Sequence, residues 1–103
     1  MSVIRVCPVA ELKEGEVRQA SAEPPVAVYN IGGEVYATSN ICSHDHFFLS
    51  DGYVDDDRIE CSLHFAQFCI RTGEAMTAPA TAPIATYAVE IRDGDIYVSI
   101  PET

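Results

Sequence analysis

Cysteine and histidine occur in this chain as two short pairs, Cys42-Ser43-His44 and Cys61-Ser62-Leu63-His64, with sixteen residues between them. No other feature constrains the fold as much. In a straight strand Cys61 and His64 would point to opposite faces, and Cys42 and His44, though on one face, would stand about 7 Å apart, so neither pair readily converges on one metal from a strand. Each pair therefore belongs on a loop, and two such loops side by side would present Cys42, His44, Cys61 and His64 as four ligands. Thiolates and imidazoles together suit an iron–sulfur cluster with mixed ligation or a tetrahedral zinc ion. Zinc pairs usually read C-x2–4-C and H-x3–5-H rather than a mixed C-x-H, which favours the cluster. A third reading, buried cysteines with incidental histidines, leaves the paired spacing without a cause.

Three of the four Cys and all three His fall between positions 42 and 69. The 103 residues suffice for a single domain over 1–103, not two. A core of that size is modest, so a bound cofactor would contribute to stability. Sixteen acids against six bases give a net charge of −10. That charge opposes nucleic acid or an anionic membrane as a partner and suits basic protein partners, or simply solubility. No apolar run is long enough to span a membrane. The start, Met1 to Cys7, lacks the charged and apolar regions of a secretory signal. The expectation is a cytoplasmic protein, where cysteines serve as ligands more often than as disulfides.

Strand signals are short and frequent. Alternation predicts an opening strand from Val3 to Pro8, with others at Val17 to Ala20 and Val26 to Ile31. Gly32-Gly33 reads as a hairpin turn into Val35 to Thr38. Arg58 to Ser62 and Phe68 to Ile70 are two more strands, the second closed by a turn at Thr72-Gly73. At the C-terminus, Tyr87, Val89 and Ile91 share a face with Ile96, Val98 and Ile100 across an Asp93-Gly94 turn. One helical turn is expected near Val9 to Lys13, cut off by Gly15. Residues 75–84, with Pro79 and Pro83, read as a loop. The sum is a small antiparallel all-β domain with both motifs at strand ends.

The segment from Cys42-Ser43-His44 to Cys61-Ser62-Leu63-His64 resembles the Rieske [2Fe–2S] motif. Phe68 to Ala75 is similar to the strand and turn that follow it in that family, and the Pro79/Pro83 loop is similar to the family's proline loop. The resemblance covers nearly the whole chain and is greatest to the small ferredoxins that serve bacterial aromatic-ring-hydroxylating dioxygenases. It implies a small antiparallel β-sandwich with a cluster-binding subdomain over roughly residues 40–75, formed by two loops and the proline loop. It implies one [2Fe–2S] cluster, with Cys42 and Cys61 on one iron and His44 and His64 on the other. It implies a monomeric one-electron carrier rather than an enzyme, loaded by an NADH-dependent flavoprotein reductase and discharged to a terminal Rieske oxygenase. Rival functions are a Rieske-like small subunit of a reductase such as nitrite reductase, and a zinc-binding interaction module.

High-potential Rieske proteins carry an extra Cys in each loop, joined as a disulfide. Phe47 and Leu63 stand at the corresponding positions here. Phe65-Ala66-Gln67 also lacks the hydroxyl that donates toward a bridging sulfide in those proteins. Fewer donors to sulfur place the expected potential near the low end of the range, about −150 mV. His46 is expected to be a loop side chain, and Cys69 and Cys7 to be small buried hydrophobes. Asp51, Asp55, Asp56, Asp57 and Glu60 read as a solvated hairpin or as an electrostatic guide toward a basic partner.

Overall fold

The computed structural model describes residues 2–20, 25–41, 48–61, 66–76 and 83–100. Among these, nine strands form: β1 (Ser2–Pro8), β2 (Val17–Ala20), β3 (Val26–Ile31), β4 (Glu34–Ser39), β5 (Tyr53–Asp55), β6 (Arg58–Glu60), β7 (Gln67–Cys69), β8 (Thr86–Arg92) and β9 (Asp95–Ile100). They make two antiparallel sheets, one in the order β1-β9-β8-β4-β3-β2 and one in the order β5-β6-β7. The expected all-β antiparallel architecture is therefore present. Gly32 and Gly33 have φ of 62° and 90°, and Asp93 and Gly94 have 49° and 81°. Both hairpin turns thus take the positive φ angles that a type I′ turn needs.

Strand β3 is apolar along nearly its whole length because it is buried on both faces. Val26 and Val28 face one core with Cys7, Leu12, Ala37, Ile96, Val98 and Ile100. Ala27, Tyr29 and Ile31 face a second core with Leu49, Ile59, Phe68, Ile70 and Ile84. The first core closes the six-stranded sheet on itself, and the second packs the three-stranded sheet against it. The phenol of Tyr29, fully buried, meets Thr38 Oγ1 at 2.8 Å. Thr38 gives its own proton to the Ser39 carbonyl at 2.9 Å, so Tyr29 is the donor. Burial lifts the Tyr29 phenol well above its usual pKa, which keeps that donor protonated.

The structure corrects several boundaries. The expected helical turn at Val9 to Lys13 is a shorter 3-10 turn, Val9–Glu11, because Leu12 is drawn into the core in extended conformation. Strand β6 stops at Glu60, and β7 runs Gln67–Cys69 because the Ile70 N–H leaves the ladder for the Asp57 carbonyl at 2.7 Å. The hairpin expected at the acidic run is formed by β5 and β6, whereas a 3-10 turn at Leu49–Asp51 has no counterpart in the pattern of the sequence. Ile91 pairs with Ile96 as expected, but lies half-exposed at the turn end of its hairpin. Of the expected 75–84 loop, residues 77–82 lie outside the described residues.

Phe68 is fully buried at the centre of the second core. Truncation by Phe68→Ala is expected to destabilise the protein by about 3–5 kcal/mol, read as a lowered urea midpoint.

Candidate metal-cluster site

Of the four expected ligands, only Cys61 is among the described residues; Cys42, His44 and His64 lie outside them, as do His46, Phe47 and Leu63. The flanks of both motif segments are placed. Ile41 and Phe48 face each other across an antiparallel bridge, closing the neck of the segment 42–47. The Cys61 N–H donates to the Ala66 carbonyl at 2.7 Å, closing the neck of the segment 62–65. The flanks of each motif segment are therefore drawn together, while the segments themselves lie outside the described residues.

A third neck follows these two. After β7 the chain turns at residues 70–74 and runs back along it. Ala75 bridges Phe68, and the Met76 N–H donates to the Gln67 carbonyl at 2.8 Å. On the far side of the segment 77–82, the Ile84 N–H donates to the Gly73 carbonyl at 2.8 Å. Gly73 has φ of +80°, and a β-carbon there would lie 2.1 Å from the Ile84 carbonyl oxygen. Only glycine lets the two ends of the proline segment approach so closely.

The register places the two motif necks and Met76 at one end of the three-stranded sheet, while Gly73 and Ile84 meet beyond Cys69, toward the other end. Tyr53 pairs with Glu60 and Glu60 with Gln67, and Cys61, Ala66 and Met76 adjoin that row. The first neck is seated there by the Leu49–Asp51 turn. Gly52, which follows it, lies so close to β6 that a β-carbon would meet the Glu60 carbonyl oxygen at 2.0 Å.

Cys61 is 1 % exposed and belongs to the same apolar cluster as Leu49, Ile59, Ala66 and Phe68. A soft sulfur donor at a strand end, walled by hydrocarbon, suits an iron–sulfur cluster, whose ligation favours thiolate and whose potential depends on solvent exposure. The donor set of two Cys and two His fits the Rieske division of ligands.

Parity along the strands separates Cys69 from Cys61. Ile59, Cys61, Phe68 and Ile70 share the core side of the sheet, while Arg58, Glu60, Gln67 and Cys69 alternate with them. Cys69 is half-buried, not buried as expected, because Phe68 and Ile70 on either side take the core face. Cys7 is buried as expected.

The acidic run is divided in use. Asp51, Asp55 and Asp56 are exposed, whereas Asp57 reaches Arg71 at 3.8 Å and Glu60 accepts from Gln67 Nε2 at 3.0 Å. Arg71 also reaches Glu34 at 3.6 Å, tying the β5–β6 turn to β4. A cleft of about 550 Å³ opens there, lined by Glu14, Ile31, Val54, Asp56, Asp57 and Arg71 among others. It lies at the turn end of the β5–β6 hairpin, away from Cys61. Asn40 and Gly52 are the residues that sequence reasoning missed. Their only signal was position, one just before the first motif and the other between the two.

Comparisons with known proteins bear on the family of the chain. The family described as the Rieske [2Fe-2S] domain matches residues 2–88. The 3-phenylpropionate/cinnamic acid dioxygenase ferredoxin subunit of Escherichia coli (strain K12) is 46% identical over 103 residues, covering 99% of this chain and 97% of that protein. The ferredoxin of Sphingomonas yanoikuyae B1 superposes with a TM-score of 0.91 at 43% identity, covering 97% of this chain and all of that one. A chain from the complex of reduced oxygenase and oxidized ferredoxin in carbazole 1,9a-dioxygenase superposes with a TM-score of 0.89 at 35% identity, covering 94% and 92%.

Gly73→Ala is expected to lower stability by about 1–3 kcal/mol, since it adds left-handed strain to the clash with Ile84. Thermal unfolding of the variant reads this directly.

Proposed function

Because the chain belongs to the Rieske [2Fe-2S] family, we propose that Cys42, His44, Cys61 and His64 together hold one cluster, and that the chain serves as the diffusing one-electron carrier of an aromatic-ring dioxygenase system. The observation that carries this reading is the approach of the flanks of both motifs, and of Met76, to the one sheet end that holds buried Cys61. A bound cluster supplies a reversible one-electron couple. The chain supplies the rest. Leu49, Ile59 and Phe68 form a dry wall behind Cys61. Ala66 offers no hydroxyl donor, which holds the potential low. Phe48 and Met76, at two of the necks, are 40 % and 38 % exposed. They give that end an apolar rim suited to brief contact with a partner.

In this reading residues 40–75 form a cluster-binding subdomain within a single domain, and the protein acts as a monomer. A flavoprotein reductase loads it and a terminal Rieske oxygenase unloads it. The ferredoxin and oxygenase of carbazole 1,9a-dioxygenase form a complex of this kind. The net charge of −10 suits partners with basic docking faces. No helix among the described residues is long and apolar enough to cross a membrane.

His44→Ala and Cys61→Ala are expected to abolish cluster binding, whereas His46→Ala and Cys69→Ala retain it; iron and sulfide analysis of the purified variants distinguishes these outcomes. The potential should lie near −150 mV, and a measured midpoint above zero contradicts this. With NADH, a flavoprotein reductase and an aromatic-ring oxygenase, product formation should require this protein. Turnover unchanged by its omission contradicts the carrier role. Replacing exposed Asp55 and Asp56 by Asn should slow electron transfer at low ionic strength, with the difference vanishing in high salt. Equal rates at every ionic strength leave these residues as solvated surface only.

A further inference from the structure

Asn40 is fully buried and polar, and it sits two residues before Cys42, where the first motif begins. Its peptide N–H donates to the Pro25 carbonyl at 3.0 Å, and its own carbonyl accepts from the Leu49 N–H at 2.7 Å. The side chain is bonded just as fully. Oδ1 accepts from the Ser50 N–H at 2.7 Å, and Nδ2 donates to Ser50 Oγ at 3.0 Å. Asn40 therefore spans the neck immediately below the Ile41–Phe48 bridge. Three of its bonds cross from the incoming to the outgoing arm, and the fourth ties the incoming arm to Pro25.

A buried amide is costly unless its donor and acceptor are both met. An apolar pair would close a neck without fixing its angle. A reciprocal amide pair admits one relative placement of the two arms, because both bonds must be made together. The outgoing arm continues through Leu49, which packs in the core with Cys61, to Gly52, whose backbone rests on Glu60. Glu60 is the residue before Cys61. A chain of contacts thus runs from Asn40 through Ser50 and Gly52 to the strand that presents the second motif.

We propose that Asn40 and Ser50 form a positioning pair that sets the placement of the first ligand loop relative to the second, and so the geometry of the cluster. This rests on the ligand assignment given above. Neither residue is a ligand. They act through the neck.

The experiment compares wild-type protein, Ser50→Ala and Asn40→Ala in the cluster-loaded form. It reads the reduced-state EPR g-values, the midpoint potential and the rate of iron loss to a chelator, with circular dichroism as a check on folding. Ser50→Ala removes one side-chain bond and leaves the Asn40 Oδ1 contact with the Ser50 N–H. It should lose iron about fivefold faster, the worth of one hydrogen bond, with displaced g-values. Asn40→Ala should shift both further. If Asn40→Ala does not fold, Ser50→Ala alone decides the matter. Folded variants with lowered thermal stability but wild-type g-values, potential and iron-loss rate overturn the proposal, because a purely structural pair would move only stability. A wild-type protein that shows no Rieske EPR signal overturns the ligand assignment, and this proposal with it; a normal wild-type signal with unaltered variants overturns this proposal alone.

Discussion

Burial of β3 on both faces is the constraint on which the rest of the structure depends. Val26 and Val28 close the six-stranded sheet on one side, while Ala27, Tyr29 and Ile31 accept the three-stranded sheet on the other. The strand has no solvent face, so polar side chains are nearly absent from it. Register here is tightly specified, since a slip of one residue would exchange the two sets of side chains between cores of different shape. The Tyr29–Thr38 hydrogen bond adds direction to that packing, because a buried phenol must find its acceptor.

From this seat the functional end is built by backbone hydrogen bonds more than by side chains. The three-stranded sheet is only three residues deep, so its core contacts are few. It is extended by necks closed at Ile41–Phe48, Cys61–Ala66 and Gly73–Ile84. Glycine appears where two backbones must nearly touch, at Gly52 against Glu60 and at Gly73 against Ile84. An electron carrier also needs a surface charge that speeds encounter without locking the complex.

Much of this was legible in the sequence because the local signals agreed with the global fold. Val17–Ala20 and Val26–Ile31 were readable to the residue, since turn residues bracket them. What was not legible shares a physical cause. The Leu49–Asp51 turn is three residues long, too short for a period to show. Cys69 was misjudged because its apolar neighbours Phe68 and Ile70 implied burial throughout, whereas alternation turns the residue between them outward. The role of Asn40 depends on Pro25, Leu49 and Ser50, contacts that no local pattern announces.

The central claim is that two Cys and two His from these two loops share one [2Fe–2S] cluster. Pulsed EPR of the dithionite-reduced protein tests it most directly, since directly bound imidazole nitrogens couple to the cluster spin. Two nitrogen couplings in the wild type, with loss of the spectrum in His64→Ala, are the predicted result. A reduced cluster without nitrogen coupling, or a colourless protein that holds zinc, would contradict it.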